Sequence, residues 1–83
     1  MSITARFWAA TARMIRCHDR LATSGMCADE IKTASADVYA LYEAADPERS
    51  PAEGDLIAFD RAVAGYESFV ASWTAPATST VVH

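Results

Sequence analysis

SPAEGDLIAFDRAVAGYESFVASW, residues 50–73, decides the fold of this chain. Six of its large apolar residues, Leu56, Phe59, Val63, Tyr66, Val70 and Trp73, are separated by 3, 4, 3, 4 and 3. That alternation puts one stripe along an α-helix, the a/d seam of a heptad pattern. No strand has this period. Ser50-Pro51-Ala52-Glu53 reads as a capping box with proline in the first helical position. Thr74-Ala75-Pro76 closes the segment. The spacing predicts a helix over about 51–73. Gly65 in its middle costs ~1 kcal/mol relative to alanine, so it marks either a close approach or kink, or a merely tolerated glycine.

The same spacing recurs upstream. Ile3, Phe7, Ala10, Met14, Cys17 and Leu21 are separated by 4, 3, 4, 3 and 4, and Gly25 follows as a left-handed C-terminal cap. This predicts a helix over about 3–23. Ile31, Ala34, Val38, Leu41 and Ala45 give a third seam over about 28–45. Asp29 and Glu30 stand in its favourable first turn, and Asp46-Pro47 ends it. Short connections make successive helices antiparallel. The expected architecture is therefore all-α: an up-down-up three-helix bundle, with a helical hairpin and a loosely docked third helix as the alternative. Residues 1–76 form one domain in this reading, and 77–83 a flexible tail.

Composition agrees. The chain has 83 residues, 52% of them apolar, with only three Gly and three Pro. That suits a small helical domain near the lower size limit for an independent core. The net charge is −4 but unevenly spread: residues 1–27 hold four arginines and one aspartate, whereas residues 28–83 hold three bases and ten acids. Overall acidity argues against non-specific nucleic-acid binding. The first 25 residues share the Arg-rich, acid-poor character of a mitochondrial presequence. They are read instead as the first helix, because the other two alone would lack a core. Two cysteines make no disulfide framework and no stretch has the length of a membrane span, so a cytoplasmic protein is expected.

The stretch RMIRCHDR, residues 13–20, sets Cys17, His18 and Asp19 side by side. Neighbours on a helix point ~100° apart, so the three do not converge on one atom. Cys17 lies on the seam and is expected in the core. His18 has only Met14 and Ala22 one turn away and is expected to face solvent or a partner. Cys17, His18 and Cys27 lack metal-ligand spacing. No catalytic centre, metal or cofactor is expected.

The arginines carry more information. Arg6, Arg13 and Arg20 are seven apart, at the heptad g position, and Glu53, Asp60 and Glu67 form the matching e stripe of the last helix. Parallel helices would pair Arg6 with Asp60 and Arg13 with Glu67. The middle helix offers Glu30 to Arg20 and Asp37 to Arg13. Arg16 lies off the stripe and is expected outward. The arginine face is therefore either an internal charge seam that sets register or a grip for an acidic partner or phosphate. Trp8, Ile15, Tyr39, Tyr42, Ile57 and Phe69 flank the seams. They either broaden the core or form an exposed interface, and self-association through Trp8 and Ile15 is one expectation. The acidic run 46–55 reads as a solvated loop.

The function these features favour is a non-enzymatic protein–protein interaction module: an adaptor, regulator or inhibitor that docks a surface. By analogy alone, inhibitors made by phages and mobile elements against a host complex are of this kind. Its interaction residues would be Arg6, Arg13, Arg16, Arg20, Trp8, Ile15, Tyr39 and Tyr42. The partner is another protein, with a homodimer as one form. Binding of nucleic acid or a regulatory complex through the arginine face is the alternative.

Overall fold

The computed structural model describes residues 2–74. The chain is an all-α bundle of α1 (Ile3–Thr23), α2 (Ala28–Ala34), α3 (Ala36–Ala44) and α4 (Glu53–Trp73), with a 3₁₀ turn at Pro47–Arg49. Among the described residues there is no strand, and no helix is long and apolar enough to cross a membrane. The tail expected at 77–83 lies outside the described residues.

The first helix begins and ends for local reasons. The Ser2 hydroxyl accepts from the Ala5 N–H at 3.0 Å, satisfying one of the donors a helix start leaves unpaired. At the other end Gly25 has φ +101°, the left-handed conformation that glycine adopts without steric cost. The Met26 N–H then reaches the Leu21 carbonyl at 3.0 Å, and the Gly25 N–H reaches Ala22 at 3.1 Å. These two bonds are the Schellman pattern, and its usual apolar contact is present as buried Leu21 and Met26.

The expected middle helix is broken. It bends at Ser35, whose φ/ψ of −101°/3° separates α2 from α3. Heptad spacing runs across the break, which is why periodicity alone reads one helix. At the break the buried Ser35 hydroxyl donates back to the Ile31 carbonyl at 2.8 Å. A serine bonded to its own preceding turn competes with the helix ladder and bends it. The start of α4 also differs from expectation. Ser50 is left-handed (φ 47°), Pro51 lies in the loop, and Ala52 is the N-cap. Half a capping box remains, with the Asp55 carboxylate accepting from the Ala52 N–H at 2.9 Å. Alanine has no side-chain acceptor to supply the other half. Gly65 sits exposed in an unbroken helix with open space where a Cβ would go, so it is the tolerated kind.

Polar contacts between helices fix the directions. Arg6 approaches Glu53, Arg13 meets Asp60 and Glu67, and Arg20 meets Thr74, so numbers rise together and α1 runs parallel to α4. Phe7 near the start of α1 stacks on Tyr42 near the end of α3, with centroids 5.3 Å apart, so α2–α3 runs the opposite way. The order is up-down-up.

The core is the union of the seams. Phe7, Phe59 and half-buried Tyr42 form an aromatic cluster at one end. Met14, Cys17, Val63 and Tyr66 fill the middle, and Leu21, Met26 and Val70 the other end. Complete burial of one such large apolar side chain stabilises by about 1.5–3 kcal/mol. Two seam residues escape: Ile3 and Trp73 lie at the ends of their helices and are exposed. Thr11 is buried off the seam, with its hydroxyl donating to the Phe7 carbonyl at 2.8 Å.

Candidate functional site

Helix α4 packs along both α1 and α3, whereas α1 and α3 barely touch away from the Phe7–Tyr42 stack. Spreading two helices over a third leaves a groove between them.

The α1/α4 side of the bundle is closed by charge. Arg13 donates from Nη2 to Glu67 at 2.6 Å, from Nε to the other Glu67 oxygen at 3.2 Å, and from Nη1 to Asp60 at 2.9 Å. This fork on two carboxylates holds the Glu67 carboxyl below the usual carboxylate range and raises the Arg13 guanidinium. Arg6 lies 3.8 Å from Glu53, not opposite Asp60 as the register argument had it. Arg20 bonds the Thr74 hydroxyl at 3.1 Å instead of Glu30. Neither Glu30 nor Asp37 pairs with an arginine among the described residues. Three of the four candidate arginines are thus engaged within the fold. Arg16 is exposed and makes no ion pair among the described residues.

The α1/α2–α3 side stays open. A recess of about 550 Å³ is lined by His18, Ala28, Ile31, Lys32, Ser35, Ala36 and Tyr39. Exposed Ile15 and Trp8 precede His18 on α1 by three and ten residues. Trp8 is 56% exposed, Ile15 50% and Tyr39 49%, the three largest exposures among the big apolar residues. Tyr42 is different: it is half-buried in the aromatic cluster and belongs to the core. Ile57 and Phe69, the other flanking residues, are exposed on α4. These side chains are therefore surface, not a broadened core.

His18 is not simply solvated. Its Nδ1 lies 2.7 Å from the hydroxyl of Tyr66, a buried residue of α4. Burial holds the imidazole below its ordinary range, against a smaller opposite pull from Asp19. Burial also pushes the Tyr66 hydroxyl up. The histidine and the hydroxyl of Ser35 give the apolar recess its polar floor. Sequence reasoning looked for partners of His18 one turn away on its own helix and so missed Tyr66. The signal available was Tyr66 itself, a phenol on a core seam that needs a hydrogen-bond partner.

Cys17 is buried and its thiol is pushed up, first by burial and then by Glu67, which keeps it protonated and unreactive. Cys27 is exposed and unbridged, donating to Glu30 at 3.2 Å. No group of three metal-ligating side chains occurs among the described residues. What the geometry offers is an apolar, partly aromatic trough with one ammonium and one imidazole on its walls. Such a surface binds another surface by burial and shape. No family model, curated protein or solved structure matches the chain.

Proposed function

We propose that this protein is a small cytoplasmic, non-enzymatic interaction module. It acts as an adaptor, regulator or inhibitor by docking another protein on the groove between α1 and α2–α3. One observation carries the reading: Trp8 and Ile15 on α1 and Tyr39 on the recess wall are the most exposed of the large apolar residues, while the α1 seam from Phe7 to Leu21 is buried. Tyrosine and tryptophan anchor protein interfaces because they bury large area with few rotatable bonds. A cytoplasmic setting is supported by two thiols left as thiols.

Nucleic-acid binding through the arginines is the second reading. It is disfavoured because Arg6, Arg13 and Arg20 already have partners inside the fold, leaving Arg16 as the outward cation of α1.

The test is an affinity capture with the tagged protein, with and without nuclease. It is run beside a Trp8→Ala/Tyr39→Ala variant checked for unchanged helicity. One protein captured in both conditions by the parent, and lost by the variant, is the expected result. Capture that disappears with nuclease would transfer the function to the arginine face.

A further inference from the structure

We infer that a small recess on the α1/α4 side, between Arg16 and Arg20, binds a single phosphate group. The site lies apart from the groove between α1 and α2–α3, and its fate does not depend on what docks there.

The recess holds about 230 Å³ and is lined by Arg13, Arg16, Cys17, Arg20, Glu67 and Val70. A helix turns ~100° per residue, so Arg13, Arg16 and Arg20 fall within a fan of about 60° on α1. Their charges reach one buried atom. Burial and then Glu67 push the Cys17 thiol up, while Arg20, Arg13 and Arg16 pull against them. Three guanidinium groups and one carboxylate line the recess, so positive charge is in surplus. Arg13 is spent on Glu67 and Asp60. Arg16 and Arg20 are not: neither pairs with a carboxylate among the described residues. Arg20 gives one N–H to the neutral Thr74 hydroxyl and keeps its charge uncompensated. Asp19 sits about 60° farther round the helix than Arg16 and does not line the recess.

Like charges one turn apart on a helix repel, so Arg16 and Arg20 oppose α1 until an anion lies between them. Buried Cys17 and Val70 line the same recess, and a low-dielectric wall strengthens the field at its mouth. Guanidinium groups suit phosphate because their N–H donors form a planar fork that matches its oxygens in pairs. The chemistry that fits is therefore a phosphate monoester or inorganic phosphate. A polyanion that follows the whole arginine stripe fits less well, because Arg6 stands beside Glu53 and Arg13 is held between two carboxylates.

The test is a titration with inorganic phosphate at constant ionic strength, balanced with chloride, read by NMR of the arginine Nε–H groups. The expected result is a saturable shift confined to Arg16, Arg20 and their neighbours. Arg16→Gln and Arg20→Gln should each weaken binding about tenfold or more, the loss that goes with a hydrogen bond to a charged group. Both side chains are exposed, so circular dichroism should show helicity retained in each variant. Arg61→Gln removes the same charge from an exposed position of α4 outside the recess and should leave the affinity within about twofold. A shift that never saturates overturns the inference. So does Arg61→Gln weakening binding as much as Arg16→Gln, since overall charge would then explain the effect. Glycerol phosphate and a phosphoserine peptide, the latter beside its unphosphorylated twin, separate the sources of the group. Tighter binding of the phosphopeptide assigns it to a phosphorylated protein, and equal binding assigns it to a free monoester. Equal binding of the unphosphorylated twin counts against the site.

Discussion

The two sides of α1 meet the rest of the molecule differently. Toward α4 the helix is matched along most of its length: apolar seam on apolar seam, and Arg13 forked between Asp60 and Glu67. Toward α2–α3 it is matched at one end by the Phe7–Tyr42 stack and at the other by its packing near α2, where Leu21 and Met26 are buried, while Ile15 between them is exposed. A partner present in the same chain makes a complete interface. Where the chain supplies none, the unmatched apolar surface remains for another molecule. The bend at Ser35 belongs to the open side. Ser35, whose hydroxyl bonds its own helix, lines the recess.

The comparison breaks most visibly in the core. Phe59, fully buried and touching both Phe7 and Tyr42, joins the closed side to the closed end of the open side. Phe59→Ala should cost about 3–5 kcal/mol, enough to unfold much of the population of so small a domain. Urea denaturation followed by circular dichroism measures it; a loss under about 1 kcal/mol would mean the aromatic cluster is not the keystone described.

Arg13→Ala tests the closed side alone. Its bonds are charge-assisted, but the carboxylates are well exposed, so the expected loss is about 1 kcal/mol and smaller at high salt. A loss that ignores salt would assign the effect to packing of the arginine stem.

Trp8→Ala tests the open side. Measured where the protein is monomeric, it should change stability by less than ~1 kcal/mol, the scale of its edge contact with Phe7. A larger change would make Trp8 a structural residue and weaken its assignment to binding.

The smallest effect concerns pH. The folded-state pKa of His18 is lowered by burial, so the unfolded chain binds the proton more readily. Stability should therefore be full above the ordinary histidine range and fall as pH drops through it toward the lowered value. Nearby, Asp19 opposes the shift, while Lys32 and Tyr66 stand around the same recess. Glu67, held low by Arg13, loses its contribution only in the more acidic carboxylate range. A His18→Gln protein should lose the first decline and keep the second. Superimposable pH profiles for parent and variant would remove the histidine from the account.

Much of the fold was legible in residue spacing. The seams of α1 and α4 are buried almost position for position, and Gly25 ends α1 in the conformation its identity suggests. Helix periodicity follows from 3.6 residues per turn, which any isolated segment obeys. The break at Ser35 and the start of α4 at Glu53 were not legible. A serine in mid-pattern and a serine before proline are compatible with several local structures, and packing selects among them.

The candidate site was half legible. Trp8, Ile15 and Tyr39 could be named as residues left over from the seams, but not as exposed. Tyr42 has the same spacing and went into the core. The sequence by itself determined three amphipathic stretches, their order and their charge stripes, because these depend on local periodicity. The tertiary structure decided that Arg13 takes two carboxylates, that His18 finds Tyr66 and that α1 and α3 part to leave a groove. Those outcomes depend on the tilt and offset between helices, which many side chains set together and no single stretch encodes.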